Sequence, residues 1–90
     1  MAKRARLEII RDILIIIKNH HNSIKPTPLL RQSNLSTAGF KEYFSELLEK
    51  GLVKETRNKR GEKVICLTEK GFRFLDKYKT IVSFIEEFEL

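Results

Sequence analysis

Apolar residues recur at helical spacing at both ends of the chain, and β-branched residues cluster in between. From about Ala5 to Asn19, the residues Leu7, Ile10, Ile13, Leu14 and Ile17 fall at the i, i+3, i+4, i+7 positions of one helix face. Ile15 and Ile16 thicken that face. The run Ile13–Ile17 alone suits a strand as well. The length of the segment and its charges Glu8, Arg11, Asp12 and Lys18 favour helix. His20-His21-Asn22-Ser23 has turn chemistry, and Ile24-Lys25 is long enough for a very short strand.

Thr27-Pro28 reads as a helix start, with Thr as N-cap and Pro at the first helical position, for a short helix Pro28–Ser33. Asn34-Leu35-Ser36 interrupts it, and Ser36 can cap a further helix from about Thr37 to Lys50. That helix places Phe40, Tyr43 or Phe44, Leu47 and Leu48 on its inner face. Gly51 ends it in a left-handed conformation. Two short helices separated by about three residues have the spacing of a helix-turn-helix. The strand-like segments Leu52–Thr56 and Lys63–Thr68 flank the polar loop Asn58-Lys59-Arg60-Gly61, as in a hairpin. Helix–helix–helix–hairpin is the winged-helix arrangement, with the hairpin as the wing.

Thr68 and Glu69 open a last helix that can run to Glu89, in which Gly71 counts as a mild propensity penalty. Leu75, Tyr78, Val82 and Ile85 repeat with the 3-4-3 spacing of a coiled-coil seam. A winged-helix body needs only the first two turns of this helix. Ile81, Val82, Phe84, Ile85 and Phe88 are then left without a partner in the same chain. The fold class expected is mainly α with a small β-hairpin (α+β): a winged helix-turn-helix over residues 1–70 and a dimerisation helix over 71–90. Ninety residues leave room for one such body and no second one.

Charge narrows the partner. Eighteen Lys and Arg against twelve Asp and Glu give +6 and a pI near 9.7. That favours a polyanion, nucleic acid before an anionic membrane. The charge is polarised. Residues 1–80 hold every base against nine acids, and residues 81–90 hold three Glu and no base. Phosphate repels that end, so DNA binding and self-association are expected at opposite ends. A single cysteine, Cys66, excludes an internal disulfide and a multi-cysteine zinc site. It suits a reducing, cytoplasmic setting. The longest apolar run is far shorter than the roughly 20 residues of a membrane span, and no signal-peptide core follows the basic start.

Several stretches carry a family resemblance: Lys3-Arg4-Ala5-Arg6-Leu7-Glu8-Ile9-Ile10, Asn34-Leu35-Ser36, Leu47-Leu48-Glu49-Lys50-Gly51-Leu52-Val53 and Leu67-Thr68-Glu69-Lys70-Gly71. In this order the chain resembles the small archaeal winged-helix DNA-binding proteins of the 10a type and related predicted archaeal transcriptional regulators. The resemblance implies double-stranded DNA binding, in a nucleoid-associated setting, by a homodimer joined through the last helix as an antiparallel coiled coil. The departure is the last helix, which ends at Leu90 and is shorter than the resemblance leads one to expect of the chromatin-type members.

Candidate DNA-binding residues follow from charge and position. Lys3, Arg4 and Arg6 form a basic arm. Arg57, Lys59, Arg60 and Lys63 belong to the wing, and Lys25 and Arg31 add charge at helix flanks. The start of the second helix-turn-helix helix enters the major groove in such motifs. There Gln32 can pair with adenine, Ser36 and Thr37 can reach phosphates or bases, and Lys41 can address guanine or phosphate. With no arginine there, and with Glu42 and Glu46 on the same helix, modest sequence selectivity is expected. Each assignment competes with a plainer one: a solvated hairpin tip for the wing, a helix cap for Ser36, core packing for Tyr43 and Phe44, a turn for His20 and His21, a buried small apolar residue for Cys66. The dimer interface is expected to use Leu75, Tyr78, Ile81, Val82, Ile85 and Phe88. No Gly-rich phosphate loop, catalytic serine motif or paired carboxylate is present, so neither an enzyme nor a cofactor, metal, membrane or small-molecule site is expected. The competing functional readings are a winged helix used for protein–protein contact within transcription machinery and a single-stranded nucleic-acid binder.

Overall fold

The computed structural model describes residues 6–90. Their order is α1 (Arg6–Asn19), α2 (Pro26–Ser33), α3 (Thr37–Glu49), β1 (Val53–Arg57), β2 (Lys63–Leu67) and α4 (Glu69–Glu87). This is the α+β winged-helix arrangement expected from the sequence, long last helix included. Ile10, Ile13, Leu14 and Ile17 of α1 turn inward against Leu29 of α2, Phe40 and Leu47 of α3, Ile65 and Leu67 of β2 and Leu75 of α4. Ile13, Leu14, Ile17, Leu29, Leu47 and Ile65 are the largest fully buried side chains. Each contributes about 1.5–3 kcal/mol by leaving water.

The turn after α1 puts His21 and Asn22 in left-handed backbone. The Asn22 carboxamide oxygen accepts a 2.7 Å hydrogen bond from Leu67 N–H and pins this turn to the hairpin. Ile24 exchanges two backbone hydrogen bonds with Ile65, at 3.2 and 2.8 Å, so the short strand is a one-residue bridge. The α2 start differs from the sequence reading. The helix begins at Pro26, and the residue before it, Lys25, takes the extended backbone that a following proline imposes. Thr27 therefore lies inside the first turn and is not the cap.

Two hydroxyl caps of the same form start α3 and α4. Ser36 Oγ accepts from Gly39 N–H at 3.0 Å, and Thr68 Oγ1 accepts from Gly71 N–H at 3.1 Å. Thr68 also donates through Oγ1 to the Gly51 carbonyl at 2.5 Å, tying the start of α4 to the end of α3. Gly71 is more than a propensity penalty. A Cβ there would stand 2.3 Å from the Leu52 carbonyl oxygen, so α4 can approach the β1 end only because this residue has no side chain. Gly51, at φ +73°, takes the left-handed conformation expected after α3. The hairpin pairs Val53 with Leu67 and Arg57 with Lys63 in antiparallel register. Cys66 is half-buried, with Ile65 and Leu67 on either side of it directed into the core.

Candidate nucleic-acid interface

The wing tip is built around Asn58. Its side-chain oxygen accepts from the backbone N–H of Arg60 at 2.9 Å and of Glu62 at 3.0 Å. Its side-chain nitrogen donates to Glu62 Oε1 at 3.1 Å. An asparagine that bonds the backbone two and four residues on fixes the loop without help from a longer strand. Gly61 supplies the positive φ, +80°, that closes it. Glu62 Oε2 in turn accepts from Lys25 Nζ at 2.9 Å, which ties the wing to the α1–α2 connection. The hydrogen bond from Lys25, then that from Asn58, holds the Glu62 carboxyl below the usual carboxylate range.

This geometry sorts the wing's bases. Arg57 Nη1 donates to the Gly61 carbonyl at 2.7 Å and braces the loop from within. Lys63 lies 3.6 Å from Glu55 across the hairpin. Lys59 and Arg60, both exposed, make no side-chain hydrogen bond or ion pair among the described residues and project from the tip. A loop with fixed backbone and two unengaged cations offers phosphate a partner that needs no rearrangement.

The outward face of α3 comprises Ser36, Thr37, Ala38, Lys41, Glu42 and Ser45, all exposed as the sequence suggests. Ser36 spends its oxygen as the cap. Thr37 and Lys41 remain directed to solvent. Gln32 is exposed at the end of α2, where its amide nitrogen lies 3.2 Å from His20 Nε2. His20 Nδ1 donates to the Ile16 carbonyl at 3.0 Å, so in the neutral ring Nε2 is the acceptor for Gln32. Arg6 pairs with Glu46 of α3, which also holds Lys50 at 3.2 Å. Lys3 and Arg4 lie outside the described residues. The elements of the interface that sequence reasoning missed are Asn58, Glu62 and His20. Only Asn58, in a polar loop before Gly61, carried a local signal.

At the other end of the molecule one expectation is corrected. Leu75, placed in a shared seam by its spacing, is 8% exposed and belongs to the chain's own core. Val82 is half-buried on the same side of α4, toward α1. The apolar residues left open on α4 are Ile81, Ile85 and Phe88, with Phe84 beside them; half-buried Tyr78 and Phe74, the latter packed against the core, continue the stripe toward the body with 4-3-4-3 spacing. Ile81 is 55% and Phe88 57% exposed. Tyr78 is partly covered by Phe74, at a ring separation of 6.1 Å, and by the Arg11 guanidinium, 5.6 Å from its centroid.

Among the described residues no helix is long and apolar enough to cross a membrane, and no three metal-ligating side chains converge. The structure is similar to that of Sso10a-2, a DNA-binding protein from Sulfolobus solfataricus. The TM-score is 0.73 at 20% identity, over 96% of this chain and 86% of that one. It is similar as well to SSV1 F-93, with a TM-score of 0.65 at 30% identity over 97% of both chains. No curated protein matches the chain. The family model for the winged helix-turn-helix matches residues 3–86, nearly the whole length, and with the three helices, the hairpin and its braced tip in place, the chain belongs to the winged helix-turn-helix family.

Proposed function

We propose that the protein binds double-stranded DNA as a homodimer, with modest sequence selectivity, as a transcriptional regulator or chromatin-associated factor in a cytoplasmic, nucleoid setting. One observation carries this reading: the two unsatisfied surfaces lie on different elements. Unengaged cations stand at the wing tip, and an apolar stripe lies along the outer half of α4, in a molecule 48 Å long. Phosphate meets the first, and a second copy covers the second.

Residues 1–70 carry DNA contact in this reading. There α3 enters the major groove through Thr37 and Lys41, with Ser36 and Gln32 at its edge. Lys59 and Arg60 follow the backbone, with Arg57 and Lys63 behind them. Arg6 and, beyond the described residues, Lys3 and Arg4 extend the basic track. Residues 71–90 join the copies, after the first turns of α4 have closed the body's core. Tyr78, Ile81, Val82, Ile85 and Phe88 remain interface residues, and Phe74 replaces Leu75. An antiparallel pairing is favoured because Lys70, Arg73, Lys77 and Lys79 outnumber Glu69 and Asp76 over residues 69–80, and Glu86, Glu87 and, just past the helix, Glu89 follow with no base among them. A parallel pair sets like charges against each other. The solved relative Sso10a-2, described as a DNA-binding protein, is consistent with this reading.

Light scattering of the isolated protein, followed by selection from random duplexes at two salt concentrations, tests it. A dimer that retains duplexes, with enrichment weak at low salt and affinity falling as salt rises, is expected. A monomer without affinity for duplex at low salt refutes it and points to a protein-binding winged helix.

A further inference from the structure

Three carboxylates around the proposed DNA surface are each held by a base: Glu46 by Arg6 and Lys50, Glu55 by Lys63, and Glu62 by Lys25. Glu42 of α3 is not. It is exposed and makes no hydrogen bond or ion pair among the described residues. Arg6 lines the same shallow cleft but goes to Glu46. No base lies one turn away on α3 either, because Ala38, Gly39, Ser45 and Glu46 occupy those positions. Helical spacing sets Ala38, Glu42 and Ser45 in one row on the outward face, with Glu42 the longest of the three. Glu49 continues the row, but at the last residue of α3, and it is the start of such a helix that enters the groove.

A free carboxylate on a DNA-reading helix is repelled by phosphate and is stabilised only where the groove offers it a donor. In the major groove the only donors are the exocyclic amines of cytosine and adenine. Adenine sets its N7 acceptor beside the amine, which repels a carboxylate's second oxygen. Cytosine presents its N4 amine with no acceptor beside it on the same base. We propose that Glu42 accepts from the N4 amine of a cytosine and is the specificity-determining residue of α3. The proposal rests on the duplex-binding reading above and names a base for it. Guanine and thymine meet the same carboxylate with acceptors alone, so discrimination comes from repulsion as much as from contact. One such residue, on a face without arginine, accords with modest selectivity. It also gives a reason for an acid on a surface that otherwise pairs its acids off.

Selection from random duplexes at fixed salt, run in parallel with the wild type and Glu42→Ala, tests it. Glu42 is exposed and unbonded, so the variant should fold as the wild type does. The wild-type pool should enrich a C·G pair at one position of the site, and the variant's pool should be flat there. Fluorescence anisotropy then compares the selected duplex with one carrying T·A at that position. The wild type should prefer cytosine about fivefold or more, and the variant should show no preference. The variant should also bind the T·A duplex more tightly than the wild type does, because a repelled carboxylate is gone. Pools that agree at every position, with the variant tighter on all duplexes alike, overturn the assignment. Glu42 then only repels phosphate, and the duplex-binding reading stands. A base other than cytosine at the position that the variant flattens overturns it too. A wild type that retains no duplex at low salt overturns both.

Discussion

Replacing Lys59 and Arg60 by alanine removes the two wing cations that have no partner within the chain. The loop should survive the change, because its shape is held by Asn58, Gly61 and the Arg57–Gly61 hydrogen bond, none of which involves those side chains. Each phosphate neutralised adds about 0.9 to the steepness with which log affinity falls against log salt. With one phosphate per cation and two wings in a dimer, the double variant loses four contacts, so the slope becomes shallower by about 3.6. Fluorescence anisotropy with a labelled duplex, titrated at four or five salt concentrations, measures it. The loss should be the same for duplexes of unrelated sequence, since phosphates carry no sequence information. The Lys63→Ala variant is the internal comparison. Its cation already faces Glu55, so its effect on the slope should be smaller than that of Lys59→Ala alone. An unchanged slope refutes the argument. So does a loss confined to one sequence, which makes the tip a base reader.

Three further outcomes follow from particular contacts. Gly71→Ala gains up to about 1 kcal/mol of helix propensity, but its Cβ meets backbone 2.3 Å away. Overpacking of about 1–3 kcal/mol should win, lowering Tm by several degrees in a scanning calorimeter, against a smaller change for Gly39→Ala, whose Cβ meets no backbone and only the capping Ser36 hydroxyl, at 3.1 Å. Glu62 has a depressed folded-state pKa, so the order it lends the wing is complete above the ordinary carboxylate value and is lost as pH falls through the folded one. NMR shifts of the Arg60 and Glu62 amides should report that loss in acid, and Glu62→Gln should abolish the titration. Ile85→Asp should give a folded monomer in light scattering, since an uncompensated charge in a buried seam costs several kcal/mol, and Leu75→Asp should instead unfold the chain.

The fold was largely legible because its signals are local and agree with one another. The α1 periodicity, the Ser36 and Thr68 caps, Gly51 after α3 and the polar turn between two β-branched segments each point to the element that forms. The start of α2 was not legible, because two prolines two residues apart both suit a first turn. The choice of Pro26 goes with a long-range event, the pairing of Ile24 with Ile65 two residues before it. The place of Leu75 was misread for a related reason. Apolar residues come in doublets, Phe74-Leu75 and Ile81-Val82, so two stripes that share Tyr78 and Ile85 both repeat at heptad spacing. Only the burial of Leu75 in the core decides that this position is spent inside the chain, while Val82, half-buried, stays at the edge of the open stripe.

The candidate DNA surface was legible as charge but not as available charge, and the difference matters to mechanism. Counting bases treats Arg6, Lys25, Arg57, Lys59, Arg60 and Lys63 alike. The structure gives four of them partners: Glu46, Glu62, the Gly61 carbonyl and Glu55. These pairs are not equivalent. Exposed ion pairs are worth about 0–1 kcal/mol, so a phosphate can take Lys63 from Glu55 at small cost, although Glu55 then stays near the anion. Arg57 cannot be taken so freely, because releasing the Gly61 carbonyl loosens the turn that aims its neighbours. Lys25 leaves Glu62 only by giving up the tie that joins the wing tip to the body. In the proposed reading a basic residue in this hairpin therefore serves DNA either by touching it or by holding the loop that does, and variants of the second group should lose affinity through a less ordered wing, with the salt slope nearly intact. The Arg57→Ala variant separates the two roles: weaker binding at every salt concentration, on a line parallel to that of the wild type, is the mark of a brace.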